Sequence, residues 1–161
     1  MTEDKAVKII DNDVHHNDFG IELASEHAGG ATSNVEVSTN RIYNNYGAGI
    51  TLGGYDEDRG RTENCIIKEN ELTENNGKHL DYGEINLAFD TRNNELHNNY
   101  IIANEDGRMI TNEFTENEGN SVDYNHYSSK NQAYWIWKNE EFDDFAAYQT
   151  ETGNDLHSDL N

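Results

Sequence analysis

Apolar positions recur along this chain in one phrase. Two inward-type residues stand one apart, an asparagine follows three positions after the second, and a further apolar residue comes two beyond that. The copies are Val7, Ile9, Asn12, Val14; Val35, Val37, Asn40, Ile42; and Cys65, Ile67, Asn70, Leu72. Two more read Asn94, Leu96, Asn99, Ile101 and Asn120, Val122, Asn125, Tyr127. The anchoring asparagines are 28, 30, 29 and 26 residues apart. A repeat of that length implies stacked units, each burying its face only against its neighbours.

Within one repeat, Val35-x-Val37 and Cys65-x-Ile67 alternate with the period of a half-buried strand. A second short strand follows at Gly20-Ile21-Glu22-Leu23, Gly49-Ile50-Thr51-Leu52 and Glu84-Ile85-Asn86-Leu87, and near Met109 and Trp135. Between them lie Asn44-Asn45-Tyr46-Gly47 and Asn75-Asn76-Gly77, residue types that tolerate the left-handed conformation of a sharp corner. The pattern predicts an all-β chain: a single-stranded solenoid, the right-handed parallel β-helix, of about five coils. Coils at strand spacing, roughly 4.8 Å, would place Asn12, Asn40, Asn70, Asn99 and Asn125 above one another as an amide ladder.

The ends read differently. Residues 139–152 predict a helix, with Asn139 as N-cap, Glu140 and Glu141 in its first turn, and Phe142, Phe145, Ala146 and Gln149 on one face. Gly153 is the expected stop. This divides the chain into coils over 1–138 and a C-terminal helical cap and tail over 139–161. Trp135 and Trp137 are expected to plug the junction. Met1 to Lys5 offers no comparable cover, so the first coil, with Val7 and Ile9, is expected to pack against another molecule as a homo-oligomer, or to belong to a longer solenoid.

At 161 residues this is one domain, and 34% apolar content suits a thin core. The formal charge of −21 argues against a general basic surface for nucleic acid or anionic membrane. A solvated acidic surface, bound calcium and a cationic partner remain as explanations. The single cysteine, Cys65, occupies an inward position and reads as packing. The chain shows neither a signal-peptide pattern nor an apolar run long enough to cross a membrane.

Candidate chemistry lies in the excursions after the second strands, where solenoids gather their binding loops. They carry Glu26 and His27; Tyr55, Asp56, Arg59 and Arg61; Asp90 and Arg92; and Glu113. Stacking would bring Glu26, Asp56, Asp90 and Glu113 together. Such carboxylates need a calcium ion or the arginines between them, and ion pairs that merely pin the loops are the competing reading. His27 is the candidate for proton transfer, whereas His15 and His16 read as exposed turn residues.

The coil phrase, Asn-Asn-Tyr-Gly-Ala-Gly-Ile at 44–50, Asp-Thr-Arg-Asn-Asn at 90–94 and Thr-Gly-Asn-Asp-Leu-His-Ser at 152–158 resemble bacterial right-handed parallel β-helix repeat proteins of the pectate-lyase-like superfamily. Relatives of that kind are often exported. The resemblance implies a polysaccharide ligand contacted by Glu26, Tyr55, Asp56, Arg61 and Asp90. Lyases of the group hold calcium on acidic side chains and use Arg or Lys as base. That would make Asp56, Asp90 and Glu26 metal ligands and Arg92 or Arg59 the base, with His27 a further catalytic candidate. Two readings follow: a non-catalytic carbohydrate-binding or structural module, or a calcium-assisted lyase or hydrolase acting on an acidic glycan. Five coils make a short groove, and the acidic surface opposes an acidic substrate, which favours the first.

Overall fold

Alternation with period two builds each strand, and a repeat of near-constant length places each strand on its counterpart one coil away. The computed structural model describes residues 6–161 and is a parallel β-solenoid of about five turns. One face stacks Val7–Ile10, Val35–Ser38, Ile66–Lys68, Glu95–His97 and Ser121–Asp123. A second stacks Asp13–His15, Arg41–Tyr43, Glu71–Thr73, Tyr100–Ala103 and His126–Ser129. The third stacks Ile21–Ser25, Ile50–Gly54, Ile85–Leu87, Arg108–Asn112 and Tyr134–Trp137. The register follows the sequence phrase: Val7 pairs with Val35, Val37 with Ile67, Ile67 with Leu96, and Leu96 with Val122. Val37, Ile67 and Leu96 are fully buried, as is Cys65.

The asparagine ladder forms as expected. Asn40 Oδ1 accepts both the backbone N–H and the side-chain amide of Asn12, at 3.0 and 2.9 Å. Its own Nδ2 donates to Asn70 Oδ1 at 3.0 Å and to the carbonyl of Ile9 at 2.9 Å. Asn70 repeats the pattern towards Asn99, and Asn99 towards Asn125. Each internal rung therefore satisfies every polar atom it buries. A second ladder five residues downstream, not foreseen in the sequence, runs Asn17, Asn45, Asn75.

The corners need no loop, because one left-handed residue turns the chain immediately before each anchoring asparagine. Asp11, Thr39, Glu69, Asn98 and Tyr124 all hold φ between 54° and 58°. Thr39, Glu69 and Tyr124 are neither Asn nor Asp, so at three of the five corners the stack imposes a conformation that the side chain disfavours.

The C-terminal cap differs from expectation in its first half. Residues 140–142 are not helical: Glu140–Phe142 folds back antiparallel on Tyr134–Trp137, with Trp137 opposite Glu140. Lys138 and Asn139 form the two-residue turn, both with positive φ, so Asn139 is a hairpin residue and not an N-cap. The helix is Phe145–Thr152, capped by Asp144, whose carboxylate accepts the N–H of Ala147 at 3.0 Å. It stops at Gly153 in the left-handed conformation. Trp135 is the plug, fully buried, with Phe145 and Tyr148 stacked on it at 4.9 and 5.3 Å. Trp137 packs partly buried at the edge of the same core. The tail adds Asp159–Leu160 as a last parallel strand beside His126–Ser129.

Candidate functional site

Side chains of the third face that point away from the core form the floor of a cleft. Glu22, Thr51, Asn86 and Thr111 fall in register on four successive coils. Asn86 Nδ2 donates to Thr51 Oγ1 at 3.2 Å, and Thr111 Oγ1 donates to Asn86 Oδ1 at 2.8 Å. These bonds fix the floor's donors and acceptors in direction.

Parallel strands put all chain entries on one side of the floor and all exits on the other, so two walls arise. The entry wall carries Phe19, Leu80 and Tyr82, with the rings of Phe19 and Tyr82 5.4 Å apart, edge to face. The exit wall carries Tyr55, Phe89 and Phe114, and the rings of Phe89 and Phe114 approach to 3.9 Å. Between them lies a cleft of about 520 Å³. The exit wall is held by Gly54, whose N–H donates to the carbonyl of Phe89 at 2.6 Å. Gly53 allows this approach: its φ is +129°, and a Cβ there would meet that carbonyl at 2.7 Å.

The part of the entry wall that carries Leu80 and Tyr82 is an excursion, residues 76–83, buttressed from within. Asn76 Nδ2 donates to the carbonyls of Leu80 and Tyr82 at 2.8 and 3.1 Å, and its Oδ1 accepts the N–H of Leu80 at 2.9 Å. Behind it sits Glu84, buried at the end of the second ladder. Its carboxyl accepts the N–H of Asn75 at 2.9 Å and the Asn75 side-chain amide at 2.6 Å. Burial outweighs these bonds and pushes the Glu84 carboxyl up to about 8.

Charge in the cleft is one-sided. Glu22, Asp81 and Glu113 line it, and among the described residues no Lys, Arg or His does. Asp81 is paired with the Arg108 guanidinium at 3.0 Å, whereas Glu22 and Glu113 have no cationic partner among the described residues.

Of the residues singled out in the sequence, Tyr55 lines the cleft, 60% exposed, with the Arg59 guanidinium 4.2 Å above its ring. Arg59 Nε also donates to Asp56 at 2.8 Å, which holds the Asp56 carboxyl below the usual carboxylate range. Arg92 pairs with Asp90 in its own loop, and Arg61 with Glu63 at 2.8 Å. Glu26 and His27 lie in an exposed turn closed by the N–H of Gly30 on the His27 carbonyl at 2.8 Å. Glu26, Asp56 and Asp90 are not brought into one cluster. Among the described residues, no three His, Cys, Asp or Glu side chains are arranged to hold a metal ion. Arg59 and Arg92, each within its own loop, answer Asp56 and Asp90 instead, and Glu26 has no cationic partner among the described residues.

Sequence reasoning missed the entry wall because it followed the loops after the second strands. The signal was in the spacing before them: Asn45 to Ile50 is five residues, but Asn75 to Ile85 is ten. That doubling marks an insertion carrying Leu80 and Tyr82.

The chain is similar to a protein of Bacillus subtilis (strain 168) named "Uncharacterized protein YwoF". The two are 40% identical over 154 residues, which is 94% of this chain and 33% of that protein. The chain thus spans about a third of the length of the curated relative it matches. No family model matches the chain, and no solved structure does.

Proposed function

We propose that this chain is a non-catalytic carbohydrate-binding module, a small β-solenoid related to the polysaccharide-active β-helix proteins of the pectate-lyase-like superfamily. The observation that carries the reading is the cleft with an aromatic pair on each wall and a hydrogen-bonded polar floor. Sugar rings present C–H faces that lie on aromatic rings and hydroxyls that need fixed polar partners. Proton abstraction by an arginine, as in the lyases, would require that arginine in the cleft. Arg59 and Arg92 are each bonded to a carboxylate of their own loop, and neither lines the cleft.

Affinity electrophoresis through gels containing neutral, acidic or amino polysaccharides tests this. Retardation by at least one glycan, reduced in Phe89→Ala and Tyr82→Ala, is expected. Equal mobility in every gel contradicts the reading.

The first coil supports a second proposal, self-association. Val7 and Ile10 are 55% and 39% exposed, and Val7–Ile10 is hydrogen-bonded on one side only among the described residues. Sedimentation equilibrium should show a dimer that Ile10→Glu dissociates, and a monomer at every concentration would refute it.

A further inference from the structure

We propose that the cleft takes a glycan carrying free amino groups, of the β-linked glucosamine type, and that Glu22 and Glu113 recognise its ammonium groups. This rests on the carbohydrate-binding reading and adds the substrate class. A neutral cleft would leave the sugar's charge undetermined, but this one is acidic and is lined by no cation among the described residues. Asp81 is already answered by Arg108. Glu22 and Glu113 are exposed and make no ion pair or side-chain hydrogen bond among the described residues, so both are available to a ligand.

Their placement suits an oligomer. Glu22 lies on the first coil, and Glu113 follows the fourth coil's strand of the same sheet. Three coil spacings of roughly 4.8 Å separate them by about 14 Å along the solenoid axis. One ammonium group cannot satisfy both, whereas amines on separate rings of a short chain can. The walls add to the same preference, since a cation beside an aromatic face is attracted by the ring. A uronate polymer meets the opposite field: unpaired carboxylates in the cleft and a formal charge of −21 on the chain as a whole.

Calorimetric titration of the full chain at mildly acidic pH distinguishes the outcomes. The probes are the glucosamine tetramer, the N-acetylglucosamine tetramer, tetragalacturonate and tetralysine. The glucosamine tetramer should bind most tightly and weaken as salt rises. Glu22→Gln and Glu113→Gln should each weaken it by about three- to fivefold, the worth of an exposed ion pair, a larger loss than either variant causes with the acetylated tetramer. Both positions are on the surface, and thermal melting confirms that the variants are folded. Acetylated tetramer bound as tightly as the free amine overturns the amine inference and leaves the carbohydrate reading standing. Tetralysine bound more tightly than the glucosamine tetramer overturns it in favour of a cationic peptide. No binding of any sugar overturns both readings.

Discussion

The Glu84 carboxyl terminates the asparagine ladder of Asn17, Asn45 and Asn75, accepting the backbone N–H and the side-chain amide of Asn75 at 2.9 and 2.6 Å. An amide at this position would pass the ladder on. The Glu84 carboxyl ends it, because its two oxygens are taken by Asn75 and it has no amide N–H to hand on. The next asparagine in phase, Asn104, turns aside and donates to the carbonyls of Asn75 and Asn76. The ladder therefore stops where the entry wall of the cleft begins.

Glu84 makes stability depend on pH. Its carboxyl is raised from 4.5 to about 8, first by burial, with nearby Glu74 adding in the same direction. Between those values the unfolded chain binds fewer protons than the folded one, so stability falls as pH rises. The slope attributable to Glu84 is up to about 1.4 kcal/mol per pH unit. Urea melts at several pH values should show Glu84→Gln losing this component of the slope. A parallel pH profile in the variant would contradict the assignment.

The register of the fold was legible because the phrase anchored on Asn12, Asn40, Asn70, Asn99 and Asn125 combines strand alternation with a nearly constant repeat. Leu96→Asp should cost several kcal/mol, since it places an unpaired charge at a fully buried position between Ile67 and Val122. Thermal melting within a degree or two of the parent would mean that the register is wrong.

The hairpin at 138–139 was less legible. Phe142, Phe145, Ala146 and Gln149 have helical spacing, but pairing with the exposed edge of Tyr134–Trp137 took residues 140–142 into the sheet. Tertiary context overrode a weak local signal. The cleft was half legible: Tyr55 stood out in a long loop, whereas Phe19, Phe89 and Phe114 gave no local pattern and meet only through stacking.

Thr39 adopts φ of 54°, a strained value for a β-branched residue, while Asn34, Asn44, Asn64, Asn93 and Asn98 hold left-handed corners elsewhere. Thr39→Asn should stabilise the chain by about 0.5–1 kcal/mol, read as a higher denaturation midpoint at unchanged slope. A lower midpoint would show that the Thr39 hydroxyl bond to Asp11 outweighs the strain.

Asp155 closes the other ladder from inside the cap, accepting Asn125 Nδ2 at 3.1 Å and the Tyr127 hydroxyl at 2.8 Å. Asp155→Ala leaves both donors buried without that partner, at about 1–3 kcal/mol each. Chemical denaturation should register the loss, and a variant as stable as the parent would mean that water or another side chain replaces the carboxylate.

The central claim is that the third face of the solenoid is a sugar site walled by aromatic pairs. Mapping backbone amide shifts of the full chain during titration with glucosamine tetramer tests it most directly. The account predicts saturable changes confined to residues 19–22, 51–55, 80–89 and 111–114, attenuated in Phe89→Ala. Changes centred on Glu26, His27 and Arg92, or no saturable change with any tetramer, would contradict it.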